Sequence, residues 1–212
     1  MSRDPSPNST PEQVGQFIVF EGGDGSGKST QAKLLAERLG AVFTREPGGT
    51  KIGAKIRELV LDPSHTEISH RTEALLMAAD RAQHVHERIR PALEGGQHVV
   101  SDRHVASSLA YQGVGRGLGI DVVAEVNAFA VDTVTPDLVV LLEADPHDAR
   151  ERLGSDLDRI EDAGTELADV VASTYRTFAA DNPTLWAVVD ATGSIEEVAA
   201  RVNAVVAERL GL

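Results

Sequence analysis

Residues 22–29 read GGDGSGKS, a match to G-x-x-x-x-G-K-[ST], a pattern whose fixed positions each have a task on a phosphate chain. Glycines allow the backbone to curl until successive N–H groups point inward as a nest for phosphate oxygens. The helix that follows adds the partial positive charge of its first turn. Lys28 supplies a point charge between the β- and γ-phosphates, and the Ser29 hydroxyl is placed to ligate Mg²⁺. Gly22, Gly23, Asp24, Gly25, Ser26, Gly27, Lys28, Ser29 and Thr30 therefore form the expected phosphate segment of an ATP-type site. The implied ligand is a nucleoside triphosphate.

Arginines occur in four further segments: Arg45 with Arg57, Arg81, Arg103, and the group Arg150, Arg152 and Arg159. Only four of the 20 basic residues are lysines, a bias that fits bidentate phosphate recognition as well as a compositional habit of the lineage. A phosphate monoester has its second pKa near 6, so a phosphate acceptor is already largely a dianion at pH 7 and needs no general base. The chain shows no convincing Asp/His pair, as phosphate-to-phosphate transfer predicts. A GTPase would carry N/T-K-x-D, whereas Thr50-Lys51 continues into Ile52-Gly53 without an acid.

Other candidates are weaker. Asp102 has two readings, a Mg²⁺ ligand acting through water or a salt bridge to a nearby arginine. Glu143 reads as a packing or helix-capping residue. His84 and His86 stand about 200° apart on a helix and cannot share an ion, so they read as surface or dimer-interface histidines. Leu75 and Leu76 read as core of their helix, and Met77 as either core or ligand-facing. Ser107 and Ser108 lack the acid–base spacing a nucleophile requires.

These residues need a scaffold, and the apolar runs supply one. Short strands are expected at Phe17–Phe20, from Val42, at His98–Ser101, Leu138–Leu142 and Trp186–Val189. Helices are expected at Ser29–Leu39, Ile52–Leu61, Glu67 to about Leu93, Ile120–Val131, Pro146–Leu153 and Glu166–Ala180, with a polar break at Gly154–Gly164. A last helix opens on a capping box, Ser194 to Glu197, and runs to Leu210. Strands alternating with helices imply one α/β domain, residues 17–212, built on a five-stranded parallel sheet with helices on its faces. The proline-rich residues 1–16 read as a disordered N-terminal tail and lack the apolar core of a secretory signal.

Composition narrows the classes further. The absence of cysteine excludes disulfide scaffolds, thiolate metal sites and a thiol nucleophile. A formal charge of −13 with no Lys/Arg-rich run argues against general nucleic-acid or anionic-membrane binding. No stretch reaches the roughly 18 apolar residues of a membrane span, so a cytoplasmic location is expected.

Several stretches resemble one family. FEGGDGSGKST (20–30), TREPGGT (44–50), LLMAADR (75–81), SDRH (101–104), AYQG (110–113) and DRIE (158–161) are similar to bacterial thymidylate (dTMP) kinases, with likeness from residue 17 to about 200. The resemblance implies a P-loop nucleoside-monophosphate-kinase fold, a homodimer, and the reaction ATP + dTMP → ADP + dTDP with Mg²⁺, in dTTP biosynthesis. It places the Asp24 carboxylate near the sugar 3′-hydroxyl, and Arg45, Arg57 and Arg103 on the acceptor phosphate. Arg81 would reach the thymine carbonyl, Tyr111 would crowd the ribose 2′ position, and Ser108 and Gln112 would lie near the base. Met77 stands where the family usually stacks a phenylalanine on thymine. The region of about 150–166 resembles the family's lid, with Arg150, Arg152 and Arg159 able to approach the transferring phosphoryl; Arg152 and Arg159, with Asp24, Lys28 and Arg103, are the implied catalytic set. Gly25 occupies a position where some relatives carry an arginine, which passes that role to the lid. Thr192-Gly193 would pack beside adenine or form an ordinary turn.

Lys28→Ala is expected to abolish ATP consumption that depends on an added nucleoside monophosphate; turnover retained by this variant contradicts the reading of residues 22–29.

Overall fold

The computed structural model describes residues 14–154 and 157–212. Five parallel strands stand in the order β2-β3-β1-β4-β5: β1 Phe17–Glu21, β2 Val42–Arg45, β3 Val99–Asp102, β4 Leu138–Glu143 and β5 Trp186–Asp190. β1 is central and all five of its residues are buried, so FIVFE is apolar up to its last position rather than alternating. Its side chains divide between two cores. Phe17 and Val19 pack with Ile89, Tyr175 and Trp186 on one face, and Ile18 and Phe20 pack with Leu35, Val140 and Val202 on the other.

Helices α1 Lys28–Leu39, α2 Lys51–Leu61, α3 His70–His84, α4 Arg90–Glu94, α5 Val105–Ser108, α6 Ile120–Val131, α7 Pro146–Leu153, α8 Thr165–Asp181 and α9 Ile195–Leu210 fill the connections. Local chemistry sets their ends. Thr50 and Ser69 side chains accept the N–H groups of Gly53 and Thr72, and the Ser194/Glu197 capping box forms as its spacing predicts.

Three stretches depart from expectation. The long helix expected over 67–93 begins at His70, after its Ser69 cap, and passes through a π-helical segment, Val85–Ile89, before α4. Pro91 has no N–H to give to the ladder, which accounts for the break in regular α-helix just ahead of it. The second departure is α5 with the π-helical Leu109–Gly115, where no element was expected because Gly113 and Gly115 lower helix propensity. The third concerns the tail. Its first 13 residues lie outside those described, but Gly15 and Gln16 are already tied down, donating to Leu93 O and His98 Nδ1. Within the lid region, Ser155 and Asp156 also lie outside the described residues.

This topology brings the carboxyl ends of β1, β2 and β3 to one edge, where crevices of open α/β sheets take ligands. Because Phe20 is fully buried in the second core, Phe20→Ala should lower unfolding free energy by about 3–5 kcal/mol in urea titration. A loss below 1 kcal/mol would contradict the assigned packing of β1.

Candidate functional site

At that edge lies a cleft of about 440 Å³. Gly25, Gly27, Lys28, Ser29 and Thr30 line it from β1 and α1, Arg45 and Arg57 from β2 and α2, Met77 and Arg81 from α3, and Asp102, Arg103, Ser108, Tyr111 and Gln112 from β3 onward. Asp24 and Arg152 complete the wall. The sequence-predicted residues missing from this lining are Gly22, Gly23, Ser26, Arg150, Arg159, Thr192 and Gly193.

Lys28 is buried and donates to Gly23 O at 2.6 Å. Burial and the nearby Arg103 cation pull its pKa down to about 8, so a bound polyanion would secure its charge. The Ser29 hydroxyl donates to Asp102 Oδ2, which ties the helix start to the end of β3. Asp102 Oδ1 is buried without a partner among the described residues. A hydroxyl beside a carboxylate with one unused oxygen fits a hard, oxygen-seeking cation such as Mg²⁺. The salt-bridge reading of Asp102 finds no ion pair among the described residues.

Arg103 is the junction of the site. One terminal nitrogen donates to Ser107 Oγ (3.0 Å) and Tyr175 Oη (3.1 Å), the other to Asp24 Oδ1 and to Tyr111 Oη at 3.2 Å. Tyr111 in turn donates to Asp24 Oδ2 at 2.6 Å, and its ring lies 5.1 Å from the guanidinium carbon. Burial favours a neutral Asp24, but Arg103 and Lys28 overcome it and hold the carboxyl at about 2. Arg103 has φ +72°, a left-handed backbone that costs a non-glycine residue about 1–3 kcal/mol and persists only where surroundings over-determine it. Those surroundings include fully buried Glu21, which accepts from the Ser107 hydroxyl (2.6 Å), Tyr175 Oη (2.9 Å) and the His104 N–H (3.0 Å). Burial raises the Glu21 pKa against the pull of Arg103.

Arg45 and Arg57 face the cleft as neighbouring cations, and Arg57 also donates to Pro47 O at 3.1 Å. Burial and then the Arg45 cation lower the pKa of Arg57, while Asp158 and Asp102 oppose the shift. Arg81 is more constrained than its motif suggests. It donates to Glu46 Oε2 (2.7 Å), Ser108 Oγ (3.0 Å), His104 O (3.0 Å) and Asn127 Oδ1. Glu46 also accepts from His84 Nδ1 (2.8 Å) and His104 Nδ1 (3.0 Å). Burial opposes its ionisation, yet Arg81 and His104 keep its pKa well below the usual carboxylate range.

Three sequence readings are corrected here. His84 is not a surface or interface residue; it is fully buried between Glu46 and Thr44 as part of the support for Arg81, while His86 is exposed. Leu75 is 58 % exposed because it lies on the α3 face opposite Met77 and Arg81. Glu143 caps nothing: Asp145 caps α7, and Glu143 pairs with Arg176 at 2.6 Å.

The lid arginines separate by position. Arg152 reaches Gly25 O at 3.3 Å from α7. Gly25 has φ +77°, and a Cβ there would stand 2.1 Å from Ala149 O, so α7 can sit on the glycine loop only if position 25 has no side chain. Arg159 is turned elsewhere, donating to Val60 O (2.7 Å) and Glu73 Oε2 (2.7 Å), because buried Glu73 offers it a carboxylate beside α2. Arg150 lies outside the cleft lining. Thr192-Gly193 is a turn whose Thr192 O accepts from Arg201 at 2.7 Å, and neither residue lines the cleft.

Glu46, Glu73 and Asn127 escaped the sequence reading. Glu73, Met77 and Arg81 share one helical stripe at i, i+4, i+8, which marks an acid on the cleft-facing side of α3. Asn127 is the buried polar residue on the otherwise apolar inner face of α6.

A family model described as Thymidylate kinase matches residues 20–202. The chain is 46 % identical over 197 residues to a curated thymidylate kinase of Lactobacillus delbrueckii subsp. bulgaricus, covering 88 % of this chain and 92 % of that protein. It is 49 % identical over 186 residues to one of Pelotomaculum thermopropionicum, covering 84 % and 86 %. The crystal structure of thymidylate kinase from Ehrlichia chaffeensis superposes with a TM-score of 0.74 at 30 % identity, covering 91 % of this chain and 99 % of that one.

Asp80 supplies a pH test of the site's buried electrostatics. It accepts the Gly48 N–H at 3.0 Å, and burial together with the Glu46 charge raises its pKa from 3.8 to about 6. Between those values the folded chain holds the extra proton, so this group's contribution to stability falls as pH rises from about 4 to 6. Asp80→Asn removes that fall, and its stability relative to the parent should improve by about 2–3 kcal/mol between pH 4 and 7 in urea titrations. A pH-independent difference would contradict the assigned environment.

Proposed function

Because the chain belongs to the thymidylate kinase family, we propose that its cleft holds ATP and dTMP end to end, with Arg103 and Asp24 at the junction between them. The reaction is transfer of the γ-phosphoryl group from ATP to dTMP, giving dTDP for nucleotide biosynthesis. The observation that carries the residue assignments is the single cleft shared by the glycine loop and by arginines from β2, α2, α3 and the end of β3.

Residues 22–30 cradle the donor phosphates, with Lys28 bridging the β- and γ-groups. Ser29 and Asp102 would hold Mg²⁺, which supplies charge neutralisation on those phosphates when bound. Arg45, Arg57 and Arg103 receive the acceptor phosphate, whose dianionic form is nucleophilic without a base. Repulsion between two polyanions is then the main barrier, and prepositioned guanidinium groups lower it. Arg152 is the lid arginine suited to the moving phosphoryl, since α7 already places it at Gly25. Asp24 serves the sugar 3′-hydroxyl and anchors Arg103. Tyr111, fixed by Asp24 and Arg103, crowds the ribose 2′ position, while Arg81, Ser108 and Gln112 read the base edge and Met77 covers its face with a polarisable thioether.

A homodimer is part of the proposal. The adjacent helices α3 and α6 expose Leu75 and Val122 (58 % each) and Phe129 (91 %), an apolar face suited to a second copy. No helix among the described residues is long and apolar enough to cross a membrane. Use of two intracellular nucleotides supports a cytoplasmic location.

Turnover measured with dTMP, dUMP, dCMP, dGMP and UMP should show dTMP as the preferred acceptor and UMP disfavoured by at least tenfold in kcat/KM. Equal use of UMP would refute the role of Tyr111. Arg152→Ala should lower kcat by roughly 10³-fold or more with a small change in KM for dTMP. Arg159→Ala should act mainly on stability, through Glu73; the reverse pattern would exchange their roles.

A further inference from the structure

On the opposite side of the glycine loop lies a second cavity, of about 340 Å³, between α7, α8 and the end of β4. Asp24, Tyr111, Leu153, Ile160 and Glu161 line both spaces and form the partition between them. Its volume falls within the range typical of small-molecule sites, about 300–1,000 Å³. Leu141, Val171 and Tyr175 give it a buried apolar floor. Among the lining side chains, Ser26 carries a buried polar atom that the described residues do not satisfy. Ser26, only 4 % exposed, lines the cavity, and its hydroxyl has no hydrogen-bond partner among the described residues. A buried hydroxyl left unsatisfied is destabilising, and an occupant's single donor or acceptor would offset that cost.

The rim argues against a strongly charged occupant. Glu143 is neutralised by Arg176, and Asp24 by Arg103. The remaining rim charges, Arg150, Asp169 and Glu161, are of mixed sign. We propose that this cavity is a second ligand site, for a compact neutral aromatic molecule bearing one hydrogen-bonding group that meets the Ser26 hydroxyl. Such an occupant touches α7, the helix that delivers Arg152 to Gly25, and also the back of the glycine loop at Gly23 and Ser26. It therefore holds α7 in one seat on the loop and slows the phosphoryl transfer without displacing either nucleotide.

2-Naphthol is a suitable probe, with naphthalene as the control lacking the hydroxyl. Ligand-observed NMR on the full chain, with saturating dTMP and the non-hydrolysable ATP analogue AMP-PNP, should show 2-naphthol bound at least fivefold more tightly than naphthalene. Ala168→Phe and Ala172→Phe each fill the cavity from α8 and should weaken binding at least tenfold; two variants guard against failure of one to fold. In turnover assays 2-naphthol should lower kcat at least threefold at saturation, leaving KM for dTMP and ATP unchanged. Displacement of the probe by either nucleotide, equal binding to both filled variants, equal affinity for naphthalene, or an unchanged kcat would each overturn the proposal.

Discussion

The guanidinium of Arg103 is gripped from several directions at the end of β3, and the rest of the site depends on that grip. Asp24 comes from the glycine loop, Tyr111 from the π-helical segment after α5, Ser107 from α5 and Tyr175 from α8. Two of these, Asp24 and Tyr175, lie more than 70 residues away in sequence, and Ser107 and Tyr111 follow within eight residues, so one cation ties together three stretches of chain. Each of its two terminal nitrogens makes two of these contacts, and the left-handed backbone of Arg103 is maintained by them. The donor loop and the acceptor pocket consequently cannot move independently, since displacement of Asp24 would leave a buried charge uncompensated.

Charge management explains the layer beneath. A chain with 33 acidic and 20 basic residues still brings Arg45, Arg57, Arg81, Arg103 and Arg152 to one cleft, and three of the acids at or beneath it have cationic counterparts. Glu46 receives Arg81, Glu73 receives Arg159 and Arg116, and Asp24 receives Arg103. Such pairs add little net stability over apolar packing, but removing one partner strands the other, so geometry is strongly specified. The arrangement also separates arginines by task. Arg81 and Arg159 are largely consumed by protein acceptors, whereas Arg45 and Arg57 both line the cleft and Arg57 has one such acceptor, Pro47 O.

The sequence made the frame legible because local rules govern it. Buried strands appear as short apolar runs, the glycine loop must link a strand to a helix, and the Ser194/Glu197 cap forms from two side chains three residues apart. The positions of Arg45 and Asp102 on the ends of β2 and β3 are legible for the same reason. The misreadings arose where long-range partners decide. Nothing near His84 in sequence announces that Glu46 and Thr44 will enclose it, and Leu75 looks like core until α3 is rotated to present Met77 and Arg81. Arg159 follows Glu73, 86 residues away, and not the phosphates. The π-helical segments depend on insertions into the hydrogen-bond ladder that residue propensities alone do not reveal.

The central claim, that Asp24 and Arg103 act as one unit joining both halves of the cleft, is tested most directly by a double-mutant cycle on kcat/KM for dTMP. Asp24→Asn, Arg103→Lys and the double variant are compared with the parent at fixed ATP. The account predicts strong non-additivity, the double variant being little worse than the more damaged single one, with a coupling of at least about 1.4 kcal/mol, or tenfold. Losses that simply multiply would mean the two residues work separately, and the account would fail.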